Sequence, residues 1–218
     1  MICGADEAGR GPVLGPLVIA GVLVENDTEL IQIGACNSKQ CTPHKREELA
    51  KKIKNIVEKY EIIVILASDI DDLRKAMTLN DLEVMVFSKV IEKLKPDVVY
   101  VDAADVNEIR FGKDIVERLS WKPQMISKHK ADETYPIVGA ASILAKTTRD
   151  EHVRQIAKEL EKSLNLPLGS GYPADPVTKK FLKTWVDTYG DLPPHVRRSW
   201  ETAQKLLNDH KNKRLDVF

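Results

Sequence analysis

The stretch Asp6-Glu7-Ala8-Gly9-Arg10-Gly11-Pro12 lies inside the N-terminal run MICGADEAGRGPVLGPLVIAGVLV (residues 1–24) and decides how the rest of the chain is read. Met1–Ala5 is short and apolar. Val13–Val24 is rich in Val, Ile and Leu, with Gly15 and Pro16 near its start. Two apolar runs joined by a glycine-rich segment predict a hairpin with a bend at residues 9–11. Asp6 and Glu7 then stand where the first strand ends.

Working outward, Thr42 is an N-cap and Pro43 a first helical residue, and Leu49, Ile53, Ile56 and Val57 continue that helix at three- and four-residue spacing. Glu61–Ala67 (EIIVILA) is a strand, and Ser68–Met77 opens with acids suited to a helix start. Thr78–Leu94 is a helix stopped by Pro96. Val98–Val101 is a compact strand ending at Asp102, Asn107–Leu119 is a helix, and Pro123–Ser127 is a strand. A long helix covers Tyr135–Leu164, with Ile143, Leu144, Val153, Ile156, Ala157 and Leu160 on one face. Leu166–Pro176 is a Gly- and Pro-dense loop, followed by helices over 177–188 and 199–210. Strands alternating with helices predict an α/β fold, a mixed sheet of about five strands flanked by helices, with a C-terminal helical cap. The division expected is an α/β region at 1–164 and a helical region at 165–218.

Composition sets limits on this reading. The 218 residues hold 33 Lys+Arg and 33 Asp+Glu, so any basic surface for a polyanion must be local and offset elsewhere. A hydrophobic fraction of 43% excludes a disordered chain and supplies one sizeable core. Cys3, Cys36 and Cys41 lack the paired spacing of a zinc site and predict thiols in a reducing compartment. The start carries Asp6 and Glu7 where a signal peptide would be apolar. The longest apolar run, Val13–Val24, is 12 residues against the roughly 20 that span a bilayer. A soluble, cytoplasmic protein is expected.

Asp6 and Asp102 each close a strand, Glu7 is adjacent, and Asp132 stands between the last strand and the long helix. Ligands of open α/β sheets sit beyond strand ends. Four carboxylates at one rim would need a counter-ion, and hard divalent cations with oxygen ligands supply it. Spacing alone leaves a second reading open, in which these acids are helix caps or solvated turn residues like Asp69, Asp71, Asp72, Asp97 and Asp105.

Motif order makes the selection. Asp6-Glu7-Ala8-Gly9-Arg10-Gly11-Pro12 resembles the signature of the ribonuclease HII family, the type 2 ribonucleases H. The resemblance runs on through Asn37-Ser38-Lys39, Thr78-Leu79-Asn80, Val101-Asp102, Lys130-Ala131-Asp132, Tyr135-Pro136, Ala140–Lys146, Arg149-Asp150, Gly169–Pro173 and Arg198-Ser199-Trp200, in the style of the archaeal branch. It implies an endonuclease that hydrolyses the RNA strand of RNA–DNA hybrids. It also implies a cut 5′ of ribonucleotides embedded in duplex DNA, leaving a 3′-OH and a 5′-phosphate. By the same resemblance Asp6, Glu7, Asp102 and Asp132 hold two Mg²⁺ or Mn²⁺ ions, with Asp6 bridging. One departure is Asn37-Ser38-Lys39-Gln40-Cys41, where the family carries Asp-Ser-Lys-Lys-Leu; Cys41 is expected as a small buried replacement for Leu.

The resemblance also assigns substrate contacts. Gly9, Arg10 and Gly11 would sense the ribose, because glycine lets backbone groups approach a sugar whose 2′-OH both donates and accepts. Tyr172 would stack on the deoxyribose after the ribonucleotide. Lys39, Lys146, Arg198 and Ser199 are similar to phosphate-contacting residues, and Asn80 falls in a matched substrate-binding block. Asn212–Phe218 loosely resembles a shortened sliding-clamp-binding tail, with Leu215 and Phe218 three apart; a frayed helix end is the competing reading. Two rivals keep the carboxylates or the binding surface but change the function: another metal-dependent phosphodiesterase, and a nucleic-acid-binding module without catalysis.

Overall fold

The sheet runs in the order β3-β2-β1-β4-β5. A computed structural model describes residues 1–35 and 41–215. In chain order the elements are β1 (Ile2–Ala8), β2 (Leu17–Val24), α1 (Thr28–Gln32), α2 (Pro43–Ile56), β3 (Lys59–Ile65), α3 (Ala67–Leu73) and α4 (Leu79–Leu94). They continue with β4 (Val98–Asp102), α5 (Glu108–Glu117), β5 (Gln124–Lys128), α6 (Ala131–Thr134), α7 (Pro136–Leu164), α8 (Pro176–Tyr189) and α9 (Glu201–Leu215). β1 pairs antiparallel with β2 from Ile2↔Val24 to Ala8↔Val18 and parallel with β4 from Ile2↔Val98 to Ala5↔Val101. β4 pairs parallel with β5, ending at Asp102↔Lys128. The mixed sheet with flanking helices is the architecture expected.

Strand order reverses at β1. The chain lays β2 and β3 on one side of it and β4 and β5 on the other, which makes the β1/β4 boundary a topological switch point. The register brings Ala5 level with Val101, so one step further Asp6 comes level with Asp102, just past the last β1–β4 pair and at the carboxyl end of β4.

Local chemistry explains the elements that frame this rim. All eight residues of β2 are buried, the mark of a strand covered on both faces. Thr42 caps α2 by accepting from the Lys45 N–H at 3.3 Å, with Pro43 in the first turn. Thr78 and Asp81 form a reciprocal capping box on α4, which ends in a left-handed Lys95 before Pro96. Gly4 lets α7 lie directly on β1, since a Cβ there would stand 2.4 Å from the Ile137 carbonyl carbon.

The chain divides into two compact units. The first comprises Met1–Ala8, Val18–Val64 and Met77–Thr148; the second comprises Gly9–Leu17, Ile65–Ala76 and Arg149–Phe218. One core of the first unit packs Val18, Ala20, Val22 and Val24 with Ile137, Val138, Ala141, Ile143 and Leu144, and includes Cys41, which is buried as expected of a replacement for Leu. The second packs Val13, Leu14, Ile156, Leu160, Phe181, Leu182, Val186 and Ala203. The single apolar face predicted for the long helix therefore serves two cores. β1 also differs from expectation: it extends through Asp6 and Glu7, because pairing with Ala20 and Ile19 on β2 carries the ladder past the apolar run. Among the described residues no helix is long and apolar enough to cross a membrane.

The 2.4 Å approach at Gly4 generates a stability prediction. Gly4→Ala is expected to cost about 2 kcal/mol through overpacking against backbone, read as a fall of several degrees in Tm; an unchanged melting curve would show that α7 does not press on β1 as described.

Candidate active site

Asp6 on β1, Asp102 at the end of β4 and Asp132 on α6 present carboxylate oxygens that all lie within 4.8 Å of one another. Asp6 and Asp132 are 4% and 2% exposed, so two of the three are taken out of water. The backbone delivers the third partner by a tight route. β5 ends at Lys128, Lys130 adopts a left-handed conformation (φ 56°) at the N-cap of α6, and Asp132 follows in that single helical turn. The Ala131 N–H donates to Asp102 Oδ1 at 3.4 Å and ties the start of α6 to the end of β4.

The electrostatics oppose full ionisation. Burial raises the Asp6 carboxyl above the ordinary carboxylate range, and the Asp132 charge adds to it; the Ser142 hydroxyl, the Lys146 ammonium and the Glu7 N–H act the other way. That N–H donates to Asp6 Oδ1 at 2.8 Å. Burial, followed by the Asp6 and Asp132 charges, pushes Asp102 up to about 7. Lys146 on α7 places Nζ 3.5 Å from Asp132 Oδ2. Three crowded carboxylates repel one another, and an all-oxygen donor set suits a hard divalent cation. The residues fit such an ion.

Not every expected residue joins this group. Glu7 does not bring an oxygen within the 4.8 Å set; as the next residue along β1, strand alternation starts its side chain on the other face. Asn80, in the first turn of α4, donates its amide to Asp105 Oδ2 at 3.1 Å, and Asp105 is held by Arg110 at 2.7 Å. Lys39 and Phe218 lie outside the described residues.

The second unit holds the glycine bend. Gly9 has φ +90° and a Cβ there would stand 2.4 Å from the Pro16 carbonyl oxygen, so both conformation and space require glycine. Gly11 lies near the Tyr172 ring, 3.7 Å from Cε1 to where its Cβ would be. Tyr172 is 42% exposed, with the Arg149 guanidinium 5.3 Å from its ring centroid. Arg149 also donates to the Ser170 carbonyl at 2.9 Å. Asp71, expected to be an ordinary helix acid, accepts from the Arg198 N–H at 2.7 Å and from the Ser199 hydroxyl at 2.6 Å. The Arg198 side chain pairs with Asp191 at 2.9 Å. Sequence reasoning missed Arg197, which is wholly buried and donates to the carbonyls of Gly9, Arg10 and Gly15. Nothing in residue type or spacing sets it apart from its neighbour Arg198.

Comparison with known proteins finds that the family model described as Ribonuclease HII matches residues 3–203. The ribonuclease HII of Methanosarcina barkeri is 46% identical over 221 residues, covering 97% of this chain and 97% of that one. The crystal structure of ribonuclease H2 from Pyrococcus horikoshii superposes with a TM-score of 0.88 at 41% identity, covering 96% of this chain and 98% of that chain. The ribonuclease HII of Archaeoglobus fulgidus, solved as a complex with PCNA, gives 0.85 at 36% identity over 96% of this chain and 100% of that chain.

The raised carboxyl at Asp102 fixes the sign of a pH effect. Between pH about 4 and about 7 the folded, metal-free chain holds a proton that the unfolded chain, with an ordinary carboxylate near 3.8, has released. On this account stability is highest below that window and falls as pH rises through it. Tm of the metal-free protein is expected to drop from pH 5 to pH 8, less steeply in Asp102→Asn, and added Mg²⁺ is expected to restore it most at pH 8. A Tm profile identical in the two proteins would contradict the assignment.

Proposed function

The chain belongs to the ribonuclease HII family, and on that premise we propose that it hydrolyses the RNA strand of RNA–DNA hybrids and cuts 5′ of ribonucleotides embedded in duplex DNA, leaving a 3′-OH and a 5′-phosphate. The observation that supports this most is the convergence of Asp6, Asp102 and Asp132. These three, with Glu7, would hold two divalent ions, Mg²⁺ or Mn²⁺. When bound, the ions would supply a water of lowered pKa and offset the charge on the leaving 3′ oxygen.

The chain's own residues do the rest. The Glu7 N–H keeps Asp6 oriented, and with the Ser142 hydroxyl nearby it favours the ionised form. Lys146 limits the negative charge around Asp132 and would contact the phosphate that enters. Gly9, Arg10 and Gly11 would read the 2′-OH through backbone groups, and Tyr172, exposed and stacked on Arg149, would pack on the next sugar. Lys39, Asn80, Arg198 and Ser199 would contact backbone phosphates or sugar, which positions the duplex without reading its sequence. Residues 1–164 would carry the chemistry and 165–218 much of the substrate binding.

Two further readings attach to this one. The Archaeoglobus fulgidus relative was solved with PCNA, which supports a sliding clamp as a partner; residues 212–218, which loosely resemble a shortened clamp-binding tail, would be the segment that docks. Cys3 and Cys41, both free and buried, support a reducing, cytoplasmic setting.

The functional test is a gel assay on an internally labelled duplex with one ribonucleotide, with and without Mg²⁺ or Mn²⁺. Metal-dependent cutting on the 5′ side of the ribonucleotide is expected. Asp6→Asn is expected to lower turnover by about a hundredfold or more with the fold intact, and near-wild-type cutting would remove Asp6 from its role. Tyr172→Ala is expected to lose roughly tenfold on a single embedded ribonucleotide and less on a long hybrid; equal losses on both would end the junction-sensing role.

A further inference from the structure

Among the described residues Arg197 is the largest fully buried side chain, and its guanidinium donates to backbone carbonyls. Nε donates to the Gly15 carbonyl at 3.0 Å, Nη1 to the Arg10 carbonyl at 2.9 Å and Nη2 to the Gly9 carbonyl at 2.5 Å. Its own N–H donates to the Val13 carbonyl at 2.9 Å, and the guanidinium lies 4.8 Å from the Trp200 ring centroid. A buried cation is costly unless its donors are used and its charge is met by dipoles. Three carbonyls accepting from one guanidinium, with an aromatic ring against it, meet that condition. Burial, then the nearby Arg149 charge, brings its pKa down to about 9, so it stays protonated at neutral pH.

The choice of carbonyls says more than that a loop is fastened. In extended backbone successive carbonyls alternate sides; here those of Gly9 and Arg10 both face one guanidinium. Each peptide unit is planar and trans, so its N–H points opposite to its carbonyl. The N–H groups of Arg10 and Gly11 are thereby turned together to the side away from Arg197. Successive N–H groups on one side form a concavity for an electron-rich oxygen. A lysine ammonium, with its donors on a single nitrogen, lacks the planar fork whose three nitrogens each reach a different carbonyl here.

We propose that Arg197 is a positioning residue for sugar discrimination: by gripping the Gly9 and Arg10 carbonyls from beneath, it aims the Arg10 and Gly11 N–H groups at the 2′ oxygen of a ribonucleotide. The inference rests on the ribonuclease reading above and assigns the specificity of that bend to a residue that never touches substrate.

The test compares binding of a duplex carrying one ribonucleotide with the same duplex in all-deoxy form, with EDTA present so that no hydrolysis intervenes. The wild-type protein is expected to favour the ribonucleotide duplex. Arg197→Lys, with folding checked by circular dichroism, is expected to reduce that preference by roughly tenfold while all-deoxy affinity holds. A folded Arg197→Lys that keeps the wild-type ratio overturns the inference, because a merely structural role would weaken both duplexes alike. Should that variant and Arg197→Met both unfold, the unaltered protein decides by NMR. Arg197 side-chain protons are expected to exchange slowly, and the Arg10 and Gly11 amides to shift with the ribonucleotide duplex alone. Rapid exchange, or equal shifts with both duplexes, overturns it. Failure of the wild-type protein to cut a ribonucleotide duplex with Mg²⁺ would instead strike the ribonuclease reading, and the inference with it.

Discussion

Mutual repulsion among three crowded carboxylates, two of them buried, is the constraint on which the first unit is organised. Asp6, Asp102 and Asp132 come from a strand, the end of a second strand and a one-turn helix, and nothing in their local sequences would bring them together. Parallel pairing of β1 with β4 sets two of them level, and the left-handed turn at Lys130 swings the third into place. The arrangement is unfavourable on its own terms: burial and like charge hold protons on Asp6 and Asp102 above the ordinary range. Such a cluster trades stability for a site that a divalent cation completes.

The second unit solves a different problem. Its bend must expose backbone without becoming slack, and glycine alone would leave it so. Gly9 permits the conformation and Arg197 fastens it from the buried side, while Arg149 supports the Tyr172 ring. Two buried arginines under an exposed loop spend hydrogen-bonding capacity on rigidity, which is what a selective backbone contact needs.

Much of this was legible in the sequence because apolar runs and their punctuation are local. The capped starts at Thr42 and Thr78, the stop at Pro96 and the strands before Asp102 and Lys128 all follow from side-chain chemistry within a few residues. The extension of β1 through Asp6 and Glu7 was not legible, since it depends on pairing with β2 rather than on propensity. The five-residue α1 is too short to show a period. For the site, strand ends named Asp6 and Asp102 as candidates, but motif order was needed to set Asp132 apart from other turn acids. Arg197 stayed hidden for a physical reason: adjacent arginines look alike until tertiary contacts bury one and leave the other paired with Asp191 at the surface.

The central claim is that the three converging carboxylates form a divalent-cation site. Anomalous diffraction from a crystal grown with Mn²⁺ tests it most directly. The account predicts a manganese peak within bonding distance of oxygens from Asp6, Asp102 and Asp132. Manganese bound elsewhere, with these side chains protonated or turned into ion pairs, would contradict it.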